Sequence, residues 1–330
     1  MLSRHFLRAK ALQTLYAAVT SQCSNIEEAE KLFDYNVLRL NDMGIFQLST
    51  LPQLAFVAER ILENEMQKFK PQDNQIKYLR RIAENRFIES LARGFEYRQA
   101  VNRLKVDWAN QFDAFRKIIN TMKTNKQFVD YLAIENPTYD DERAICLLEF
   151  KYMMNDDTLR DAIFERDLLW EDDFDQVAQY VFMLLKEVDE DKADEAMRCP
   201  QVYDKRNEDE LSAFLFARKL VSDTMAHLDE VEPMIKKHLQ NWDFDRVALM
   251  DILLINMAVT EFTCCPSIPE RVTVDEYIEL SKEFSTEKSK LFINGILDRL
   301  LIELRVQGRI NKNERGMYDP EIDGDVVPEG

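Results

Sequence analysis

One stretch near the carboxyl end decides the fold of this chain: residues 284–301 read FSTEKSKLFINGILDRLL. Ser285 and Thr286 are suitable N-cap residues, and Glu287 places a negative charge in the first turn, where the helix dipole favours it. Leucines then recur at helical spacing, at positions 297, 300, 301 and 304. The pattern predicts a buried helix over this stretch.

The polar and aromatic start of this helix is not explained by burial alone. Residues 288–292 read KSKLF, and Gly295 follows them. A solvated first turn with one half-buried phenylalanine accounts for most of these residues. A glycine inside a helix costs about 1 kcal/mol relative to alanine, which predicts that another backbone packs closely against Gly295.

Two segments upstream extend the pattern. Residues 250–262 read MDILLINMAVTEF and are apolar almost all round, which predicts a central helix. Residues 268–284 read IPERVTVDEYIELSKEF and predict a short extended entry followed by an amphipathic helix. In order and spacing the three segments resemble the carboxyl-terminal bundle of the NusB family of transcription antitermination factors.

Composition points to the same fold class. The chain has 330 residues, enough for two modest domains, and 46% of them are hydrophobic. Only 7 Gly and 9 Pro stand against 13 Met and 20 Phe, so the turn residues of an all-β or βαβ protein are scarce. The expected fold is therefore all-α.

Targeting and redox signals are absent from the sequence. No apolar stretch approaches 18 residues and no cleavage site follows the first residues, so neither a membrane span nor a signal peptide is expected. The five cysteines include no C-x-x-C pair, which argues against a disulfide framework or a zinc site and favours the reducing cytoplasm. The neighbours Cys264 and Cys265 could form a redox pair, but apolar packing beside Pro266 is the preferred interpretation.

Catalytic motifs are also missing. The chain has 3 His, none spaced i,i+4 with another, and it contains no G-x-G-x-x-G, Walker or G-x-S-x-G motif. We therefore expect no catalytic residues, no metal site and no cofactor. The protein is predicted not to be an enzyme.

The net charge of −18 argues against nucleic-acid binding until it is resolved along the chain. Residues 1–26 carry three basic and no acidic residues, residues 60–126 carry 15 basic and 8 acidic, and residues 131–210 carry 9 basic and 24 acidic. Because phosphate binding depends on the local patch rather than the total, the basic regions can still bind RNA. The acidic stretch is interpreted as helix caps and solubilising surface, with docking of a basic partner as the alternative.

The first helix is predicted over residues 3–19. Arg4 and Arg8 lie near its apolar side, which suits charge only if those turns project beyond the bundle, where they could reach a phosphate backbone. A frayed basic terminus is the alternative. Residues 4–16, RHFLRAKALQTLY, resemble the arginine-rich first helix of NusB, with Phe6 where another arginine is usual.

The resemblance covers residues 2–20 and 208–304 and implies two helical bundles of the three-helix type, interrupted by a large helical insertion. The predicted regions are 1–25, the first helix with its basic arm; 26–207, the insertion; 208–306, the remainder of the NusB-like fold; and 307–330, a disordered tail. Within the insertion, apolar periodicity over residues 75–122 predicts one or two very long helices forming a coiled-coil-like arm. Its mixed charges indicate a solvated face.

The resemblance also implies a function. NusB proteins pair with NusE, a small-subunit ribosomal protein, and the pair binds the boxA element of ribosomal RNA leaders so that RNA polymerase resists termination. The implied RNA-binding residues are Arg4, His5, Arg8, Lys288, Lys290 and Phe292. The implied NusE contacts are Tyr16 and Asp251.

Two other function classes remain open at this stage. A module of this family also precedes the catalytic domain of a ribosomal RNA methyltransferase, but no glycine-rich cofactor loop follows here. The second possibility is a protein–protein adaptor with a NusB-like fold that has lost RNA binding.

Overall fold

The computed structural model describes residues 2–188, 203–239 and 247–317, and every regular element within these ranges is a helix. The prediction of an all-α fold is confirmed. The contacts divide the chain into two compact units. The central unit comprises residues 38–204, and the terminal unit comprises residues 2–37 together with residues 205–330.

The helices are numbered in chain order. They are α1 (Arg4–Thr20), α2 (Ile26–Met66), α3 (Asp73–Ala83), α4 (Arg86–Arg93), α5 (Phe95–Leu104), α6 (Phe112–Met122), α7 (Lys126–Ala133), α8 (Tyr139–Met154), α9 (Asp157–Phe164), α10 (Phe174–Lys186), α11 (Glu208–His238), α12 (Leu249–Cys264), α13 (Glu270–Phe284), α14 (Glu287–Val306) and α15 (Glu314–Met317). Short 3-10 turns cover Ala109–Gln111 and Leu168–Asp173.

Helix α12 lies at the centre of the terminal unit, as its apolar sequence predicts. It packs against α11, α13 and α14, and its residues from Leu253 to Phe262 are all buried. Helix α1 packs on α11 and α12 with Leu7, Leu12 and Leu15 fully buried. Each such side chain stabilises the fold by about 1.5–3 kcal/mol relative to exposure.

Local sequence explains where α1 begins. The Ser3 side chain accepts a hydrogen bond from the Phe6 backbone N–H at 3.1 Å and caps the helix. The helix starts one residue after the cap and ends at Thr20, close to the predicted bounds. Residues 26–37 of α2 also belong to the terminal unit, where Phe33 packs against Phe214 with ring centroids 5.5 Å apart.

The central unit is built around α8, which packs against α4, α6, α7 and α10. Phenylalanines dominate its core, namely Phe87, Phe115, Phe128, Phe150 and Phe174. Trp108 is buried as well, and its indole N–H donates to Ser49 Oγ at 2.9 Å. The aromatic residues therefore provide the unit with a core of its own.

The predicted coiled-coil-like arm over residues 75–122 is wrong. The chain there forms the short helices α3 to α6, because Asn85 accepts from the Ile88 N–H at 3.1 Å and starts a new helix, and Gly94 ends α4. Lys105 adopts a left-handed backbone conformation with φ 51° and ends α5. Each short helix keeps its own apolar face, so the helical period persists across the breaks.

Two further expectations differ from the structure. Proline is most common in the first turn of a helix, but Pro52 lies inside α2, where Ser49 and Thr50 donate to backbone carbonyls one turn earlier. The predicted disordered tail is wrong for residues 308–317, which fold back onto α12 and include α15. Residues 318–330, and most of the polar linker predicted at 189–207, lie outside the described residues.

Among the helices of the described part of the chain, none is long and apolar enough to cross a bilayer.

A candidate nucleic-acid interface

The predicted projecting arginine on α1 is part of a buried ion-pair network. Arg8 donates from Nε and Nη2 to the two carboxylate oxygens of Glu261, both at 2.8 Å. Thr273 Oγ1 and Tyr277 Oη donate to the same carboxylate at 3.0 and 3.2 Å. A second carboxylate, that of Glu276, lies 3.4 Å from Arg8 Nη1. The network joins α1, α12 and α13.

The expectation that Arg8 projects into solvent is therefore wrong. Its side chain is 2% exposed and that of Glu261 is fully buried. Burial opposes the charged form, but the hydrogen bonds and charge of Glu261 outweigh it and raise the pKa of Arg8 above its ordinary value. Arg8 holds α1 in place, and its guanidinium is not available to a phosphate.

His5 connects the same helix to α13. Its Nδ1 lies 2.9 Å from Glu276 Oε2 and its Nε2 lies 3.0 Å from Glu283 Oε1. Partial burial disfavours the charged ring, but the hydrogen bonds to Glu283 and Glu276 outweigh it, so the pKa of His5 is raised. A protonated His5 donates to both carboxylates, which fixes the ring beside the end of α13.

Arg4 is exposed at the start of α1. Its guanidinium carbon lies 5.5 Å from the centroid of the Phe216 ring, and that of Arg8 lies 5.0 Å from the same ring. An aromatic face attracts and orients a cation. Of the two arginines that the sequence predicts to bind RNA, Arg8 is buried and Arg4 is exposed.

Hydrogen bonds to Asp251 of α12 fix the start of α14. Ser285 Oγ and Ser289 Oγ donate to the two oxygens of Asp251 at 2.5 and 2.8 Å. Ser289 is buried, so the neighbouring Lys288 and Lys290 are turned to the surface, where both are exposed. The hydrogen bonds of Asp251 therefore fix the first turn of α14, on which Lys288 and Lys290 are exposed.

A shallow groove of about 340 Å³ runs beside these lysines. It is lined by Lys288, Leu291, Phe292, Gly295 and Arg299, among others. The expectation that a backbone packs against Gly295 is wrong, because a Cβ built there would meet nothing within 4 Å. The missing side chain instead leaves the floor of the groove open beside the half-buried Phe292.

The predicted partner contacts lie in different environments. Tyr16 is 41% exposed on α1 and is accessible to another protein. Asp251 is 6% exposed and accepts from the two serines that anchor α14. The structure gives Asp251 an internal positioning role that residue type and spacing did not reveal.

His5 of α1 lies close to the turn that precedes α14. His5 contacts Glu283, which is the next to last residue of α13, and α14 begins three residues after α13 ends. The pKa of Glu279, on the same helix, is lowered first by its hydrogen bond with Lys282 and to a smaller extent by the positive charges of Lys290 and His5. The structure thus places His5 close to the turn between α13 and α14, and Lys288 and Lys290 are exposed in the first turn of α14 that follows.

Sequence reasoning missed Glu261, the partner of Arg8. A glutamate near the end of the largely apolar run 250–262 was the available signal, because a buried charge requires a partner. The basic surplus of the central unit is largely paired locally, as in Arg80 with Glu84 and Arg93 with Glu89. Within the described ranges no cluster of three or more His, Cys, Asp or Glu residues could hold a metal ion.

Comparison with known proteins places the matched region in the second half of the chain. A sequence model described as the NusB family matches residues 176–301. A protein of Salinibacter ruber named transcription antitermination protein NusB is 41% identical over 102 residues, which is 31% of this chain and 64% of that protein. Its namesake in Chloroherpeton thalassium is 34% identical over 104 residues, 32% of this chain and 49% of that protein. No solved structure matches the chain.

The match leaves part of each relative uncovered. The chain spans 64% and 49% of the length of the first two relatives, and helix α1 lies outside the residues that the family model matches. A third protein of the same name, from Myxococcus xanthus, is 37% identical over 98 residues, which is 30% of this chain and 70% of that protein. With this identity over more than two thirds of a relative, and with an all-helical terminal unit, the chain belongs to the NusB family.

Proposed function

We propose that this protein is a cytoplasmic transcription antitermination factor that acts by binding RNA and not by catalysis. In this proposal it pairs with NusE, binds the boxA element of ribosomal RNA leaders and makes transcribing RNA polymerase resist termination. The observation that carries the proposal is the contact of His5 with Glu283 in a NusB family protein, which joins the start of α1, with its exposed Arg4, to the end of α13, shortly before α14 exposes Lys288 and Lys290.

Each group has a distinct task in this proposal. Arg4, Lys288 and Lys290 neutralise phosphates, and the release of counterions supplies much of the affinity. Phe292 stacks on an unpaired base over the groove beside Gly295. Arg8 acts as a positioning residue, because its ion pair with Glu261 fixes the helix that carries Arg4 and His5.

The NusE contact is proposed for the exposed face of α1 around Tyr16, which is 41% exposed. Tyrosine is favoured at protein interfaces because it combines a large apolar ring with a hydroxyl group. Asp251 contributes indirectly by fixing the start of α14.

The test is a fluorescence anisotropy titration with a labelled boxA-type RNA and a scrambled RNA, each with and without NusE, from about 50 to 200 mM KCl. We expect NusE to tighten binding to the boxA-type RNA more than to the scrambled RNA. Replacing Lys288 by Gln should weaken binding about threefold to tenfold and lower the salt slope by about 0.7.

Lys31→Gln is the matched control, because Lys31 is exposed on the same unit and pairs only locally with Glu27. A wild-type protein that binds neither RNA, with or without NusE, would contradict the proposal and favour the adaptor that has lost RNA binding.

A further inference from the structure

The groove beside α14 extends past Phe292 as far as Arg299. Lys288, Phe292, Gly295 and Arg299 all line it. Successive members of this set are three or four residues apart, which places them on one face of the helix. Lys288 and Arg299 are about 16 Å apart along the helix axis, at about 1.5 Å per residue. The groove therefore has a cation towards each end and a glycine between them.

Arg299 has a fixed position and a charge that no acid neutralises. Its Nη1 donates to the carbonyl oxygen of His238, the last residue of α11, at 2.9 Å. Glu303 lies one turn further along α14, but its carboxylate already contacts Lys237 and His238 at 2.7 and 2.5 Å. Among the described residues Arg299 forms no ion pair, and its side chain is exposed. The contact with His238 caps α11 and uses one of the five N–H donors of the guanidinium, which leaves the others for an anion.

Gly295 lies between the two cations on the same face. Glycine lowers the stability of a helix relative to alanine. A Cβ built at Gly295 would meet nothing within 4 Å, so packing among the described residues does not explain why a glycine stands there. A backbone without a side chain lets a ligand approach the helix closely, and a flat base is a ligand of suitable shape.

We infer that a single strand of RNA runs along this face of α14, with one phosphate at Lys288, a base over Gly295 and a second phosphate at Arg299. The inference rests on the proposed RNA-binding function and adds Arg299 and Gly295 to it. Two cations about 16 Å apart along a helix cannot share one phosphate, so Arg299 provides a separate contact. Its planar guanidinium can bind a phosphate through two parallel hydrogen bonds. A nucleotide chain alternates phosphates with flat bases, which fits two cations and an open floor better than an acidic peptide does.

Two variants test this path by different means. Arg299→Gln keeps a donor for the His238 carbonyl and removes the charge. Gly295→Leu keeps every charge, suits a helix better than glycine and fills the floor of the groove. With a fluorescein-labelled boxA-type RNA in about 100 mM KCl, both should weaken binding about threefold to tenfold, but only Arg299→Gln should lower the salt slope, by about 0.7.

Arg305→Gln is the matched control, because Arg305 is exposed on the same helix but is paired with Glu270. It should bind the RNA with the affinity and the salt slope of the wild type. Thermal unfolding of all three variants checks that the fold is retained, and Gly295→Leu should melt at a temperature no lower than that of the wild type.

A nuclear magnetic resonance titration with the same RNA, unlabelled, follows the side-chain Nε–Hε signals of the arginines. We expect the signal of Arg299 to shift and that of Arg305 to stay. Wild-type affinity and salt slope in Arg299→Gln, combined with weaker binding by Lys288→Gln, would overturn the path along α14 and leave the proposed function intact.

A wild-type protein that binds no RNA would overturn both the path and the proposed function. In that case a shift of the Arg299 signal on titration with an oligoglutamate peptide would show that the groove takes an acidic protein segment.

Discussion

The two units of this protein each bury a glutamate completely, in opposite chemical settings. Glu261 of α12 accepts hydrogen bonds from Arg8, Thr273 and Tyr277. Glu149 of α8 is also fully buried, but neither of its carboxylate oxygens has a hydrogen-bond partner among the described residues. Burial therefore raises the pKa of Glu149 well above its ordinary value.

The difference shows that burial alone does not decide the role of an acid. In the terminal unit the carboxylate is a charged group whose partners come from three helices, so it determines how those helices meet. In the central unit burial favours the neutral form of the acid, because ionisation would place an unpaired charge in the core. Glu261 therefore fixes the packing of three helices, whereas buried Glu149 destabilises the fold when it ionises.

The largest expected effect comes from removing the partner of Glu261. Arg8→Met keeps most of the side-chain volume but leaves a buried carboxylate without its cation, so the terminal unit should lose about 3–5 kcal/mol of stability. Urea denaturation with hydrogen exchange at the α1 and α12 amides measures this loss. Lys31→Met, which removes an exposed pair with Glu27, should cost no more than about 0.5 kcal/mol.

A rescue experiment separates the charge from the packing. Adding Glu261→Gln to Arg8→Met removes the unpaired charge and keeps an acceptor for Tyr277, so the double variant should recover at least about 2 kcal/mol. The same urea measurement on wild type, both single variants and the double variant completes the cycle. Additive losses would show that the two side chains do not act as a pair.

The central unit should respond to pH through Glu149. Because its pKa is raised in the folded state, its contribution is fully present below the unfolded pKa of about 4.3 and is lost as pH rises toward the folded pKa. Stability should fall in that window by up to about 1.4 kcal/mol per pH unit. Hydrogen exchange at α8 amides from pH 5 to 8 measures the slope.

Glu149→Gln should remove this pH dependence without changing the size of the side chain. The titratable groups that feel the charge of Glu149 are Tyr78, Tyr131 and Cys146. Burial is the largest cause that raises their pKa values, so all three stay neutral in this window. An identical slope in the variant would assign the effect to another group.

The smallest expected effect concerns His5 in the terminal unit. Its raised pKa means that its contacts with Glu276 and Glu283 stabilise the fold below the unfolded pKa of about 6.5, and that this contribution is lost as pH rises through the folded pKa. Since the ring is about a third exposed, the change should stay below about 1 kcal/mol. His5→Gln should abolish the difference in α13 amide exchange between pH 6 and 8.

Local sequence patterns predicted the helices of the terminal unit well. Burial was predictable for three helices because each buries one face or all of its surface. The signals were the apolar run of α12, the helical period of α13 and the leucines of α14. The exposed cations Arg4, Lys288 and Lys290 were also predicted, through the family resemblance. The RNA contacts of these three residues, and the NusE contacts of Tyr16 and Asp251, stay predictions.

The wrong predictions concern contacts between residues that are distant in the chain. The partner of Arg8 lies 253 residues away, so no local pattern distinguishes a projecting arginine from a buried one. Gly295 was assigned a packing partner although it borders open space. In the central unit the apolar period continues across Asn85 and Gly94, so periodicity alone does not indicate the helix boundaries that the structure has there.

The distance between Arg8 and Glu261 in the chain has a consequence during synthesis. Ribosomes add about 5–20 residues per second, so Glu261 is made roughly 13–50 s after Arg8. Throughout that interval α1 lacks the acid that neutralises its buried arginine, while all of residues 38–204 emerge and can fold as a unit. A nascent chain interrupted before residue 261 would therefore carry a folded middle and an undocked, basic amino-terminal helix.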